Sequence, residues 1–271
     1  MGAGTKERLF LSTALITGAS SGIGRELAVV FAANGWDLVL VARSADKLQE
    51  LAQQMQQAHK ISAHTIPMDL ADPASPQKLL RETAARGLTI DALVNNAGVG
   101  SFGFFSDIDV ESDADLLEVN VTALTKLTKY FLRPMVARKK GYILNIASTA
   151  AFQPGPLMAV YYASKAFVLS FSEALSNELN GSGVSVTVLC PGAVKTGFQE
   201  AARMTKSNLF RRVTLEADRV AREGYNGMMK GKRVVVPGLR HRLMVSGSKF
   251  LPHAFILRVV RRLQEIDKKP S

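Results

Sequence analysis

Cysteine is almost absent: Cys190 is the single one in 271 residues. One thiol cannot form an internal disulfide framework or a thiolate metal cluster. Its place, between the apolar run 184–189 and a proline, reads as that of a small buried hydrophobe. The four histidines, His59, His64, His241 and His253, lack metal-ligand spacing, so a metal site has no support. No stretch reaches the ~18 consecutive apolar residues needed to cross a bilayer. The start of the chain puts charges ahead of an apolar run, as a signal peptide does. That run leads straight into a glycine turn that needs a strand before it, with no cleavage site between. Gly2 is followed by Lys6 where a myristoylation signal takes Ser or Thr. These absences predict a soluble, cytoplasmic protein. Low-complexity runs and repeats of roughly 20–50 residues are missing too. The 47% apolar content is enough for a sizeable core, and the length suits one large α/β domain.

Acidic charge is scarce in one part of the chain only. Residues 1–199 carry 17 Lys and Arg against 17 Asp and Glu, whereas residues 200–271 carry 17 against 6 and so hold the entire net charge of +11. A nucleic-acid enzyme spreads positive charge along its main groove, so no nucleic-acid partner is expected. The basic excess marks the C-terminal segment as a separate question.

Short β-branched runs alternate with longer helical patterns. Strands are predicted at 12–17, 37–42, 61–66, 91–96, 142–148, 184–190 and 233–238. Helices are predicted near 23–34, 44–58, 74–86, 110–137, 158–180 and 214–229. Continuously apolar strands are buried on both faces, and strand–helix alternation implies right-handed crossovers and a parallel sheet.

Thr17-Gly18-Ala19-Ser20-Ser21-Gly22-Ile23-Gly24 follows the first strand and opens the first helix. A pyrophosphate can rest on a helix N-terminus when the backbone approaches closely. Gly18 permits the sharp turn, Gly22 clears the phosphate path, and Gly24 allows tight helix packing. The spacing G-x-x-x-G-x-G differs from the commoner G-x-G-x-x-G, and three glycines in a turn can be purely structural. The strand before and the helix after favour a dinucleotide. At the end of the second strand stands Ala42-Arg43-Ser44, with no carboxylate for a ribose 2′-hydroxyl. A guanidinium grips a 2′-phosphate with two hydrogen bonds, so NADP(H) is the expected cofactor, unless Arg43 merely starts a solvated helix face. Asp69, after the third strand, is placed either to reach the adenine amino group or to cap the N-terminus of the following helix.

Tyr161 and Lys165 stand four residues apart on a predicted helix and so share one face. Ser148 ends the fifth strand, where ligands of open parallel sheets bind. Carbonyl reduction sends hydride to carbon and a proton to oxygen. A free tyrosine, with a pKa near ~10, exchanges protons poorly at neutrality, and lowering it by ~3 units asks ~4 kcal/mol of Lys165 and an oxidised nicotinamide. Each residue taken alone has a structural reading. Tyr162 adjoins the pair, but only Tyr161 has a lysine four positions later.

Taken together, these motifs resemble those of the short-chain dehydrogenase/reductase family over roughly residues 10–200. TGASSGIG resembles its cofactor turn, Asn95-Asn96-Ala97-Gly98 its NNAG segment, and YYASK its Tyr-x-x-x-Lys signature. Ser148 precedes Tyr161 by the usual 13 residues, and Pro191-Gly192 with Thr196 resembles its PG-x-x-x-T segment at the nicotinamide. The resemblance implies Tyr161 as general acid/base, Lys165 lowering its pKa and holding the nicotinamide ribose, Ser148 orienting the substrate oxygen, and Asn120 holding a relay water. It also implies that Gly18, Ser20, Ser21, Gly22, Ile23, Gly24, Arg43, Asp69, Asn96, Ala97, Gly98, Pro191, Gly192 and Thr196 contact the cofactor, and that the protein forms homodimers or homotetramers through long helices. The expected fold is α/β: a single Rossmann-type doubly wound domain of about seven parallel strands with helices on both faces, plus a basic C-terminal helical extension. Residues 1–238 form the cofactor-binding and catalytic domain, with a substrate lid at about 197–213. Residues 239–271 form the extension.

The segments expected around the nicotinamide, Val99–Phe105, Ala150–Phe152, Leu157-Met158 and Gly197-Phe198, are apolar, which favours a lipophilic carbonyl or alcohol substrate. In the tail, Phe255, Ile256, Val259, Val260 and Leu263 share a helical face, with Arg258, Arg261 and Arg262 off it. Such a helix docks on the body or a subunit partner, or contacts an anionic membrane or carrier. The expected activity is reversible NADPH-dependent reduction of a lipophilic carbonyl. The alternatives are a non-catalytic NADP(H)-binding regulator and an NAD-dependent alcohol dehydrogenase.

Overall fold

Residues 12–197, 215–248 and 250–264 are described by the structure, a computed structural model. The strands are β1 (Thr13–Thr17), β2 (Asp37–Ala42), β3 (Ala63–Pro67), β4 (Ala92–Asn95), β5 (Gly141–Ile146), β6 (Val184–Leu189) and β7 (Val234–Val235). The helices are α1 (Gly22–Ala33), α2 (Ala45–His59), α3 (Ser75–Ala85), α4 (Val110–Leu117), α5 (Leu124–Ala137), α6 (Ala159–Glu178), α7 (Ala217–Met229), α8 (Leu239–Ser248) and α9 (His253–Gln264). All seven strands pair in parallel in the order β3-β2-β1-β4-β5-β6-β7.

Consecutive residues of β1 enter opposite cores, as period-2 geometry requires. Ile16 packs with Leu27 and Phe31 of α1, Leu48 of α2 and Met228 of α7. Leu15 packs on the other side with Leu79 of α3 and Phe131 and Met135 of α5. The helices therefore sandwich the sheet. Strand order reverses beside β1, whose neighbours are β2 and β4. A crevice opens there at the carboxyl ends, where open α/β sheets bind ligands. The glycine turn follows β1 and Asn96–Gly98 follow β4, so both border this point.

Three details differ from the sequence-based expectation. Lys60, at φ +57°, closes α2 in the left-handed region and delays β3 by two residues. β7 is only two residues long, because Pro237 removes a donor and Gly238 turns away at φ +80°. The helix expected over 110–137 is broken by a π-helical segment, Glu118–Ala123. The expected lid lies outside the described residues except for Gly197. No described helix is long and apolar enough to cross a membrane.

Candidate active site

The turn after β1 is held by the segment after β4. Gly18 and Gly22 adopt φ of +66° and +54°, which a side chain would strain. Thr17 Oγ1 accepts from the Asn96 and Ala97 amides, both at 3.0 Å. Asn96 Nδ2 donates back to the carbonyls of Thr17 at 2.9 Å and Gly18 at 3.2 Å. A Cβ on Gly24 would collide with the Gly18 carbonyl and the Asn96 amide, so the first turn of α1 closes directly onto the loop. A Cβ on Gly22 would meet the Thr196 methyl at 3.1 Å, which brings the segment after β6 across the turn. The α1 N-terminus is thus a backbone cradle open to a phosphate, with Ile23 packed against the core behind it.

Ser20, Ser21 and Gly22 line a cleft of about 310 Å³ with Arg25, Lys47 and Glu50. Arg43 is exposed immediately after β2. Arg25 and Lys47 were not singled out from the sequence. Both stand in or near the first turn of a helix, where a cation runs against the macrodipole, and that signal was available. Arg25 is paired with Glu26 at 2.8 Å. Asp69 Oδ1 accepts the Ala71 amide at 3.0 Å in a local turn, and α3 begins later, with Ala74 at its N-cap.

Around the end of β5 the remaining residues converge. Ser148 precedes a 3₁₀ turn, Thr149–Phe152; its Oγ accepts from Ala150 N at 3.1 Å and donates to the Pro191 carbonyl at 3.4 Å. Its hydroxyl is also a hydrogen-bond partner of the Tyr161 hydroxyl. Lys165 lies one turn below Tyr161 on α6, with Nζ 5.7 Å from the centre of the Tyr161 ring, and donates to the Ile146 carbonyl at 3.1 Å. A Cβ on Gly98 would stand 3.3 Å from that Nζ and 3.2 Å from Asn120 Oδ1. A side chain at 98 would therefore fill the space above the lysine.

Burial moves both ionisations against the charged forms. The Tyr161 phenol is pushed up to about 12 by desolvation, eased by the Ser148 hydrogen bond. The Lys165 ammonium is brought down to about 8 by desolvation. In this form Lys165 does not depress the tyrosine, because the loss of water outweighs an ammonium that sits beneath the ring. When bound, an oxidised nicotinamide supplies a positive ring that favours the phenolate. The glycine cradle, the lack of a side chain at Gly98 and the exposed arginine after β2 fit a dinucleotide.

Asn120 sits in the π segment, 1% exposed. Its side chain exchanges two hydrogen bonds with Val99, each 2.9 Å, and donates to Ser164 Oγ at 3.1 Å. The amide is thus spent on protein partners, and contact with a relay water would fall to its main-chain carbonyl. Tyr162 faces elsewhere: Gln264 of α9 donates to its hydroxyl at 2.7 Å. Cys190 is buried, as its apolar surroundings implied. Among the described residues no acidic, histidine or cysteine group could hold a metal.

No local pattern announces that His241, on α8, packs its imidazole over Gly192, where any Cβ would collide with it. Of the apolar lining, Ala150, Ala151 and Met158 are buried, Val99 and Phe102 pack beside Tyr161, and Phe104 and Phe105 are exposed. Leu157 adopts φ +67°, uncommon for a branched residue, and its carbonyl accepts from the Gly103 amide at 2.9 Å. Phe198 lies outside the described residues.

Comparison with known proteins gives the same picture. The very-long-chain 3-oxoacyl-CoA reductase of Phaeosphaeria nodorum is 38% identical over 177 residues, 64% of this chain and 52% of that protein. The 17-beta-hydroxysteroid dehydrogenase type 3 of Mus musculus is 37% identical over 186 residues, 68% of this chain and 60% of that one. The chain therefore spans between half and two thirds of the length of these relatives. Among solved structures, a short-chain dehydrogenase from Sphingobium yanoikuyae in complex with NADPH aligns with a TM-score of 0.81 at 32% identity, covering 96% of this chain and 100% of that one. The bulky-bulky ketone specific alcohol dehydrogenase from Comamonas testosteroni aligns with a TM-score of 0.75 at 27% identity, covering 96% and 97%. The short chain dehydrogenase sequence model matches residues 12–207, the span that carries the glycine turn, the serine, the Tyr–Lys pair and the Pro-Gly segment, and on this ground the chain belongs to the short-chain dehydrogenase/reductase family of oxidoreductases.

Proposed function

We propose that this chain is an NADPH-dependent reductase that converts the carbonyl of a lipophilic substrate to an alcohol, reversibly, with Tyr161 as general acid/base. The observation that carries the reading is the convergence of the Ser148 and Tyr161 hydroxyls, hydrogen-bonded to each other, above the buried Lys165 ammonium. Ser148 Oγ holds the substrate oxygen. Tyr161 donates its phenolic proton to that oxygen as negative charge develops on it. Lys165 stabilises the phenolate left behind, and the Asn120 carbonyl leads toward solvent for reprotonation. Burial keeps the phenol protonated at neutral pH, so that it has a proton to donate.

The NADP(H) choice rests on Arg43 after β2, with Lys47 beside the same turn, and on the lack of a carboxylate at the ribose position. Ser20, Ser21, Asn96, Ala97, Pro191, Gly192 and Thr196 complete the cofactor contacts. The preference for lipophilic substrates rests on the apolar lining beside Tyr161. Residues 1–238 carry cofactor binding and catalysis, and the tail extends the same domain. The exposed Phe167 on α6, stacked on Phe171, is suited to burial in a homodimer or homotetramer. The protein is cytoplasmic and attaches peripherally to anionic lipid. Supporting this, nine of the 16 exposed large hydrophobics among the described residues fall between Leu239 and Leu263, beside Arg258 and Arg262.

Reduction of a panel of lipophilic ketones, followed by NADPH absorbance, tests the reading. Wild type should turn over. Tyr161→Phe should lose about 10²–10⁴-fold in kcat while still binding NADPH. Equal turnover by both proteins would refute the assignment.

A further inference from the structure

Pro191 and Gly192 follow β6 at the carboxyl end of the sheet, and the chain returns to the same end after β7. There Gly238, at φ +80°, turns the backbone into α8. Glu223 of α7 holds that turn. Its carboxylate accepts from the Gly238 amide at 3.4 Å and from Arg242 at 3.0 Å, while Arg242 Nε donates to the Val236 carbonyl at 2.8 Å. His241 stands on this fixed base and is only 8% exposed. Its imidazole hydrogen-bonds the Pro237 carbonyl, with Nδ1 toward Gly238 and Nε2 over Gly192. The ring occupies the place that a Cβ on Gly192 would take. The Gly192 backbone is outside the left-handed region, so the ring, and not backbone strain, excludes a side chain there.

We propose that His241 is a positioning residue for hydride transfer, whose imidazole braces the Pro191-Gly192 segment against the nicotinamide and keeps the Pro191 carbonyl on Ser148. This role rests on the reading of Pro191 and Gly192 as nicotinamide contacts and of Tyr161 as proton donor. The Pro191 carbonyl accepts from the Thr149 amide at 2.8 Å and from Ser148 Oγ at 3.4 Å, and the Ser148 hydroxyl meets that of Tyr161. One carbonyl thus ties the braced segment to the proton donor. α8 also packs against the 3₁₀ turn Thr149–Phe152, so the same helix backs both partners of this contact. Hydride and proton must reach adjacent atoms, and a displacement of about 1 Å costs up to about 100-fold in rate. Glycine lets the backbone approach a cofactor closely, but it also leaves that backbone free to move away. A ring packed on the glycine removes this freedom without adding a side chain on the cofactor side. Burial holds the imidazole below its ordinary pKa, against the bond to the Pro237 carbonyl, so at neutral pH it sets no charge beside an oxidised nicotinamide.

The test uses the full chain with NADPH and one aryl ketone that wild type reduces. His241→Asn keeps a donor for the Pro237 carbonyl but takes the ring off Gly192, whereas His241→Phe keeps a ring and loses the donor. His241→Asn should lower kcat about tenfold with KM for the ketone little changed, and His241→Phe should retain most of the wild-type rate. Titration of NADPH fluorescence should give unchanged Kd values in both. With deuterium at the transferred position of NADPH, the isotope effect on kcat should rise in His241→Asn alone, because a loosened nicotinamide slows hydride transfer itself. A residue that served stability only would lower the melting temperature and leave this effect unmoved. Gly192→Ala should also lose turnover, and adding it to His241→Asn should restore part of the rate, since the methyl enters the space the ring leaves. Wild-type kcat in His241→Asn, an unchanged isotope effect, or losses that simply multiply in the double variant would each overturn the inference and leave the reductase reading in place. If His241→Asn does not fold, Gly192→Ala decides: turnover at the wild-type rate overturns the inference, and loss with NADPH binding intact supports it. Failure of wild type to oxidise NADPH with any ketone would remove both readings.

Discussion

Replacing Lys165 by methionine should make the protein more stable and less active at once. The ammonium is buried, and its pKa falls from 10.5 to about 8. That difference corresponds to about 3 kcal/mol of destabilisation at neutral pH, borne by the folded state alone. Methionine is similar in length, carries no charge and packs well in irregular space. It forfeits the hydrogen bond to the Ile146 carbonyl, which takes back about 1 kcal/mol. A net gain of about 1–2 kcal/mol is expected at pH 6–7. The pH dependence separates this account from simple repacking. Between about 8 and 10.5 the unfolded wild-type chain binds more protons at this residue than the folded one, so wild-type stability rises with pH across that window. The methionine variant lacks this contribution. Its advantage should therefore be full below about pH 8 and vanish by about 10.5. Urea denaturation at pH 6.5 and pH 9.5 measures both limits. A variant less stable than wild type at pH 6.5, or an advantage that does not shrink with pH, would refute the reasoning. Ketone reduction should fall sharply in the same protein, since the developing phenolate loses its counter-charge.

Arg43→Ala should raise the NADPH KM by about 10–100-fold and leave the NADH KM nearly unchanged, because a charged hydrogen-bond pair to the 2′-phosphate is lost. Parallel steady-state titrations check this, and equal effects would remove the 2′-phosphate assignment. Gly24→Ala should destabilise the fold by about 1–3 kcal/mol in urea and weaken NADPH binding, since the new methyl collides with the Gly18 carbonyl and the Asn96 amide. Wild type should float with anionic vesicles at low salt, and combined Arg258→Glu and Arg262→Glu should abolish this without reducing ketone turnover in vesicle-free buffer. A wild-type protein that ignores such vesicles would exclude the lipid contact.

The chain's layout was largely legible because its signals are local. Strands buried on both faces read as continuous apolar runs, and the seven observed strands lie within a few residues of those expected. Tyr161 and Lys165 share a helix face wherever that helix sits. The glycine turn needs only a strand before it and a helix after it. The π segment was not legible: one added residue per turn barely alters the apolar pattern of 110–137, and its partner, Val99, stands 21 residues away. Asp69 offered two readings, adenine contact and helix capping, and the local turn it makes with the Ala71 amide was not among them.

By itself, then, the order of amino acids determined the parallel α/β architecture, the cradle after β1 and the pairing of tyrosine with lysine, because each depends on periodicity or on contacts within a few residues. Tertiary structure alone decided the state of these groups. Burial raised Tyr161 and lowered Lys165, and folding brought His241 onto Gly192 and turned one edge of α9 inward beside Tyr161. Desolvation and long-range packing depend on which surfaces meet in space, and residues about a hundred positions apart carry no local pattern that announces their meeting.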